Sequence, residues 1–183
     1  MYVGVLAALL ELDMGVIKQL LNEQFAAKAG LLDANQKAID LGYAYAKEHF
    51  TCPLPFRART LDKTRDHIMI DGNTTAGLGC LFAGATVGAW YPITPSTSVM
   101  DSFKRFCEKY RKDPETGKAN YCIIQAEDEL GAIGMVLGAS WNGARSFTPT
   151  SGPGISLMNE FLGYGYFTEI PAVLFDVQRC GPS

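Results

Sequence analysis

Four stretches of this 183-residue chain gather side chains that can do chemistry. In "YPITPST", Thr94 lies between Pro92 and Pro95. Proline fixes its own φ and biases the residue before it toward extended backbone, so the Thr94 hydroxyl rides on a stiff platform suited to positioning a substrate. In "QAEDELGA", the carboxylates Glu127, Asp128 and Glu129 open a helical pattern. In "TSGPG", Thr150 to Gly154 form either a tight turn or an anion cradle at a helix start. In "DVQRCG", Arg179 offers a planar guanidinium that can grip a carboxylate with two parallel bonds. Together these supply hydroxyl donors, one cation and a carboxylate, the polar set of a small-molecule site. Each also has a plain structural reading: first-turn acids complement the helix dipole, the glycines make a turn, and the arginine forms a surface ion pair.

Phosphate fingerprints fail. "GLG" at Gly77 to Gly79 has no third glycine and sits inside a helical pattern, while Gly117-Lys118 is followed by Ala119 where a P-loop needs Ser or Thr. Sixteen basic against nineteen acidic residues leave a net charge of −3, no footprint for nucleic acid or an anionic membrane. Cys52, Cys80, Cys107, Cys122 and Cys180 form no C-x-x-C pair, and His49 and His67 are the only imidazoles. Local zinc or iron–sulfur ligation and a Ser-His hydrolase are thereby disfavoured. No apolar run approaches the roughly 20 residues of a membrane helix, and the first residues lack a basic signal-peptide start. The reading is cytoplasmic, with no membrane and no nucleic acid as partner.

The elements that must position these residues follow from hydrophobic rhythm. Residues 3–25 are apolar at helical spacing, and Asp33 with Gln36 resembles a capping box opening a second helix that ends near Phe50. The two prolines, many charges and aperiodic order of residues 51–66 read as a linker. Beyond it, short apolar runs at 67–71, 87–91, 120–125, 145–149 and 171–176 alternate with helical patterns. That alternation predicts an α/β fold, a doubly wound, mostly parallel sheet preceded by a short helical segment. Ligands bind beyond the carboxyl ends of such strands, which directs attention to Gly72–Thr74, Pro92–Ser96, Ala126–Glu129, Thr150–Gly154 and Gln178–Gly181. The small residues of "GNTTAGLGCLFAGA" read as a helix face that packs closely on the sheet or a ligand.

Three strings carry a resemblance. "GNTTAGLGCLFAGATVGAWYPITPST", "QAEDELGAIGMVLGASWNGARSFTPTSGPGISLMNE" and "EIPAVLFDVQRCGPS" are similar, in order and at the expected spacings, to the alpha subunit of the 2-oxoacid:ferredoxin oxidoreductases, the pyruvate and 2-oxoglutarate family. Residues 1–50 resemble the end of the gamma domain fused ahead of alpha in many members. The resemblance implies a helical gamma tail at 1–50, a linker at 51–65 and a thiamine-diphosphate pyrimidine-binding domain at 66–183. Both ends are expected to be truncated, since family members extend further.

The resemblance further implies roles. Glu129 is expected to hydrogen-bond the cofactor's aminopyrimidine ring and favour its imino tautomer, with Pro92 and Ile93 beside the cofactor. Thr94 and Arg179 are expected to hold the 2-oxoacid. The implied reaction is oxidative decarboxylation of 2-oxoglutarate or pyruvate to acyl-CoA, with CoA as co-substrate and electrons passing to ferredoxin. Mg2+, the diphosphate ligands and a [4Fe–4S] cluster are expected on a beta subunit, in a dimer of heteromers, with no metal site here. The competing readings are a non-catalytic assembly module and, more distantly, a transketolase-like enzyme. The gamma-before-alpha order leans toward the 2-oxoglutarate or general 2-oxoacid branch.

Overall fold

A computed structural model describes residues 1–51, 55–59 and 61–178 in two compact units, Met1–Ile68 and Met69–Ser183.

The first unit is helical: α1 (Tyr2–Leu10), α2 (Met14–Phe25) and α3 (Ala29–His49). The single helix expected over 3–25 is broken in two. Glu11 takes a left-handed conformation, and the Asp13 side chain caps the new helix by accepting from the Gly15 amide at 2.7 Å. An N-cap aspartate placed after a left-handed residue ends one helix and starts the next. The third helix begins at Ala29, four residues before the expected capping box, and Asp33 lies inside it, paired with Lys37 at 2.8 Å. Glycine lets α1 and α3 touch: a Cβ on Gly4 would fall 2.0 Å from the Ile39 carbonyl oxygen. Among the described residues of this unit, Ala7, Ala8, Ile39 and Ala46 are buried and apolar. A 3-10 turn follows at Asp62–Thr64.

The second unit contains α4 (Gly72–Phe82), β1 (Val87–Trp90), α5 (Thr97–Tyr110), β2 (Cys122–Gln125), α6 (Glu129–Trp141), β3 (Ser146–Thr150), α7 (Gly152–Phe167) and β4 (Val173–Asp176). The four strands are all parallel in the order β2-β1-β3-β4. Four of the five expected strands are present. The fifth, at 67–71, is a correction: these residues form no strand, and Ile68 and Met69 are largely exposed. A short apolar run becomes a strand only with a ladder partner, and this one instead leads to Asp71, whose side chain caps α4 by accepting from the Thr74 amide at 2.8 Å.

Period-two alternation along β3 divides its side chains between the two faces. Phe147 joins the cluster built by α4 and α5, with its ring edge-on to Phe103 at 4.8 Å and to Phe175 at 5.9 Å. Such pairs add about 0.5–1.5 kcal/mol each beyond area burial. On the other face Ala89 packs with Ile133, Val136 and Met158 from α6 and α7. The sheet is therefore doubly wound, as expected. The small residues of α4 pack on the sheet as expected, with Cys80 and Ala76 in the cluster that holds Phe147, and one of them serves a further contact. A Cβ on Gly77 would lie 2.8 Å from the Phe103 amide nitrogen and 2.9 Å from the Val99 carbonyl oxygen, so the glycine allows α4 to touch the α5 backbone. An apolar hollow of about 400 Å³, lined by Ala76, Cys80, Phe147 and Val173 among others, lies at the amino ends of β3 and β4.

Candidate active site

Parallel pairing brings all four strand ends to one edge. The turn carrying Thr94 follows β1, Glu129 follows β2, Thr150 ends β3 and Gln178 follows β4. The connections from β1 and β3 leave in opposite directions, β1 to β2 and β3 to β4, and these two strands are neighbours. The crevice at such a switch point is where an open α/β sheet binds ligands.

Glu129 is the first residue of α6 and only 6% exposed. Asp128, one residue earlier, is the N-cap and accepts from the Gly131 amide at 2.6 Å, which leaves Glu129 free of capping duty. Among the described residues no hydrogen bond or ion pair engages the Glu129 carboxyl. Its two oxygens are not among the fully buried unbonded atoms, so the tip of this largely buried side chain reaches the surface. The starts of α6 and α7 both lie beside it. A Cβ on Gly154, in the first turn of α7, would lie 3.0 Å from Glu129 Cγ and 1.9 Å from Thr150 Oγ1. Each helix start contributes about half a positive charge. The Thr148, Thr150 and Ser151 hydroxyls, at the end of β3 and the start of α7, are buried and unbonded among the described residues, and of these Thr150 shares the Gly154 position with Glu129. Ser151 occupies the N-cap of α7 yet makes no side-chain cap bond. Of the two readings left open for "TSGPG", the helix start is what forms, with Pro153 in its first turn, where its missing N–H costs nothing.

Thr94 lies in an exposed turn whose peptide to Pro95 is cis. The turn is tied down from both sides. The Ile93 carbonyl accepts from the Ser96 hydroxyl at 3.0 Å, the Thr97 hydroxyl at 3.2 Å and the Thr97 amide at 3.1 Å. The Pro95 carbonyl accepts from the Asn73 side-chain amide at 2.9 Å, and Asn73 also donates to the Ser98 hydroxyl at 2.7 Å. Hydrogen bonds hold a turn here where the sequence reading expected an extended segment, and α4 anchors it through Asn73, a residue the sequence did not single out. Its signal was its place in Gly72–Thr74, chosen there as following a strand that does not form.

Glu129, Thr150 and Gly154 are brought into mutual proximity; Thr94, Pro92 and Ile93 lie on the neighbouring connection along the same edge. Arg179 lies outside the described residues, as do Cys52 and Cys180. Cys80 and Cys107 are buried free thiols, each pushed up to about 11 by burial, and Cys122 is an exposed free thiol. Among the described residues no cluster of three or more His, Cys, Asp or Glu is placed to hold a metal ion.

The family model for the pyruvate flavodoxin/ferredoxin oxidoreductase, thiamine diphosphate-binding domain matches residues 78–183, more than half of the chain and every element from β1 onward. The chain belongs to this family. A 2-oxoglutarate synthase subunit KorA from Methanocaldococcus jannaschii is 45% identical over 114 residues, covering 62% of this chain and 29% of that protein. A 2-oxoglutarate oxidoreductase subunit KorA from Mycobacterium tuberculosis is 36% identical over 170 residues, 89% of this chain and 24% of its own length. A solved structure of 2-oxoglutarate:ferredoxin oxidoreductase from Magnetococcus marinus, with 2-oxoglutarate, coenzyme A and succinyl-CoA bound, superimposes with a TM-score of 0.77 at 37% identity. That match covers 100% of this chain and 30% of the solved one. The chain spans less than a third of the length of these relatives. Among the described residues no helix is long and apolar enough to cross a membrane.

Proposed function

We propose that this chain supplies the aminopyrimidine half of the thiamine-diphosphate site in the alpha subunit of a 2-oxoacid:ferredoxin oxidoreductase. Such an enzyme converts 2-oxoglutarate or pyruvate, with CoA, to the acyl-CoA and passes the electrons to ferredoxin. The observation that carries the reading is Glu129, a side chain 6% exposed whose carboxyl has no partner among the described residues, close to the unpartnered Thr150 hydroxyl at the sheet's switch point. Those groups fit an aminopyrimidine, whose ring nitrogens and exocyclic amine need an acid and hydrogen-bonding oxygens. Bound thiamine diphosphate supplies the carbon nucleophile and the electron sink for decarboxylation.

This chain's residues act around it. Glu129 holds a proton against a pyrimidine ring nitrogen, the work of a positioned acid–base group. Pro92 and Ile93 line the ring, and Thr94, on its anchored turn, donates its hydroxyl to the 2-oxoacid before bond changes begin. Arg179 binds the substrate carboxylate through its guanidinium fork. Residues 1–50 are the helical tail of a gamma-type domain, 51–65 the linker and 66–183 the pyrimidine-binding domain. A 2-oxoacid:ferredoxin oxidoreductase alpha subunit from Sulfurisphaera tokodaii is matched over 96% of this chain, which supports both units lying in one polypeptide. The diphosphate and Mg2+ ligands and the [4Fe–4S] cluster belong to a beta subunit, and two such heteromers pair. The free thiols of Cys80, Cys107 and Cys122 support a reducing, cytoplasmic setting.

The test uses the full alpha subunit with its beta partner, assayed on a panel of 2-oxoacids with CoA and a one-electron acceptor. Turnover is expected on 2-oxoglutarate or pyruvate. Glu129→Ala should leave the complex assembled and slow deuterium exchange of the thiazolium proton by about 100- to 10,000-fold. An assembled complex without turnover on any 2-oxoacid would instead make the chain an assembly module.

A further inference from the structure

We propose that Thr150 is the positioning residue of Glu129: its buried hydroxyl donates to one carboxylate oxygen, leaving the other to face the cofactor, and Gly154 is the glycine that makes room for the pair. The proposal rests on the reading of Glu129 as the cofactor's acid.

Three observations converge. Thr150 is 1% exposed and its hydroxyl has no partner among the described residues. Glu129 is 6% exposed and no described residue donates to its carboxyl. Both side chains border the same point, the place a Gly154 Cβ would take, with Thr150 Oγ1 at 1.9 Å and Glu129 Cγ at 3.0 Å from it. The hydroxyl and Glu129 Cγ are thus no farther apart than the sum of those two distances, and rotation about the glutamate's own bonds sweeps a carboxylate oxygen into hydrogen-bonding reach. One group is a donor without an acceptor, the other an acceptor without a donor.

Geometry makes the threonine the stiffer partner. Thr150 ends β3, where it pairs with Asp176 of β4, and its carbonyl accepts from the Val177 amide at 2.9 Å. Its branched Cβ restricts χ1. Glu129 has three rotatable bonds, so an anchored donor removes conformers that would turn the carboxyl away from the ring. Among the described residues, Glu127 is exposed, Asp128 faces the Gly131 amide, Asp176 of β4 accepts from the Gln178 side-chain amide at 2.6 Å, the first turn of α7 carries no acid, and β1 and β3 carry no titratable residue. Gly154 is required because any Cβ there would displace the hydroxyl from between the helix and the carboxyl.

The experiment is a double-mutant cycle in the assembled complex, read by thiamine-diphosphate affinity in calorimetry and by thiazolium-proton exchange. Thr150→Val, which keeps the shape and removes the donor, is expected to weaken cofactor binding about tenfold and slow exchange about 10- to 100-fold, the range for a hydrogen bond to a charged group. Thr150→Ser should restore both to within about threefold. In a Glu129→Ala background Thr150→Val should change neither readout further, because its effect passes through Glu129. Wild-type values for Thr150→Val, no rescue by serine, or an equal loss in the Glu129→Ala background would each overturn the proposal. If Glu129→Ala alone changes neither readout, the reading of Glu129 fails first and the positioning role falls with it. Should the valine variant not assemble, Thr150→Ala, which only removes atoms, goes through the same cycle with the same deciding outcomes.

Discussion

Asn73 gives the sharpest test of whether the Thr94 turn is held in place for function. Its side-chain amide bridges the first turn of α4 to the Pro95 carbonyl at 2.9 Å and to the Ser98 hydroxyl at 2.7 Å. Asn73→Ala removes both bonds while the Pro95 carbonyl keeps only the longer one from Ser98 at 3.3 Å. At about 0.5–1.5 kcal/mol net for each bond, the turn loses about 1–3 kcal/mol of anchoring. If that energy holds Thr94 ready for the 2-oxoacid, kcat/KM should fall about 5- to 150-fold, since about 1.4 kcal/mol is a factor of ten. Cofactor affinity should fall less than kcat/KM, because Glu129 and Thr150 lie on other connections and only Pro92 and Ile93 share the loosened turn. Asn73→Asp, similar in size but unable to donate, should fall at least as far, as its carboxylate would face a carbonyl. The assay is steady-state kinetics of the assembled complex alongside calorimetric titration of thiamine diphosphate. An Asn73→Ala complex with wild-type kcat/KM, or one losing cofactor affinity as steeply as substrate use, would refute the argument that α4 positions Thr94.

Cys80 and Cys107, pushed up to about 11 from an ordinary 9.0, carry about 100-fold less thiolate at pH 8, so iodoacetamide should label exposed Cys122 first. Labelling of Cys80 at the rate of Cys122 in native protein, followed by mass spectrometry, would contradict this burial. Because the unfolded thiols ionise first, these two groups should lower stability as pH rises from 9.0 toward 11, visible as a falling denaturant midpoint. Gly77→Ala should destabilise the second unit by about 1–3 kcal/mol in denaturant unfolding, since its Cβ meets α5 backbone that cannot turn aside. Asp71, held below its ordinary 3.8 by the Thr74 hydroxyl and amide, should keep α4 capped at neutral pH and release it as pH falls below 3.8. Amide exchange at Thr74 reports the loss, and an Asp71→Ala variant should lack that acid transition.

Fold class was legible because βα alternation is a statement about burial on two faces, and that needs no partner outside the pattern. The run at 67–71 shows where the logic stops. Its residue types suit a strand, yet a strand exists only when another offers a ladder, and pairing is decided by distant chain. Glu11 to Asp13 misled for the opposite reason: apolar spacing continued across them, while the decisive signal was one aspartate able to cap a helix restarting beside it.

The site divides along the same line. The trio Glu127 to Glu129 could be noticed from its place at a helix start, and Thr94 from its flanking prolines, because both arguments are local; the choice of Glu129 within the trio is what the family resemblance implies. What makes Glu129 unusual is the absence of a described partner together with burial, and that depends on α7 arriving beside α6. The glycine of "TSGPG" illustrates how a local reading can be right and incomplete. Gly154 does open a helix, but its lack of a side chain also leaves space that the Thr150 hydroxyl fills next to a carboxyl two elements away in sequence. A turn would tolerate alanine at that position of a helix; the contact with Thr150 does not. Substituting Gly154 therefore tests packing at the site rather than helix geometry, which is how the two reasons for one residue are told apart.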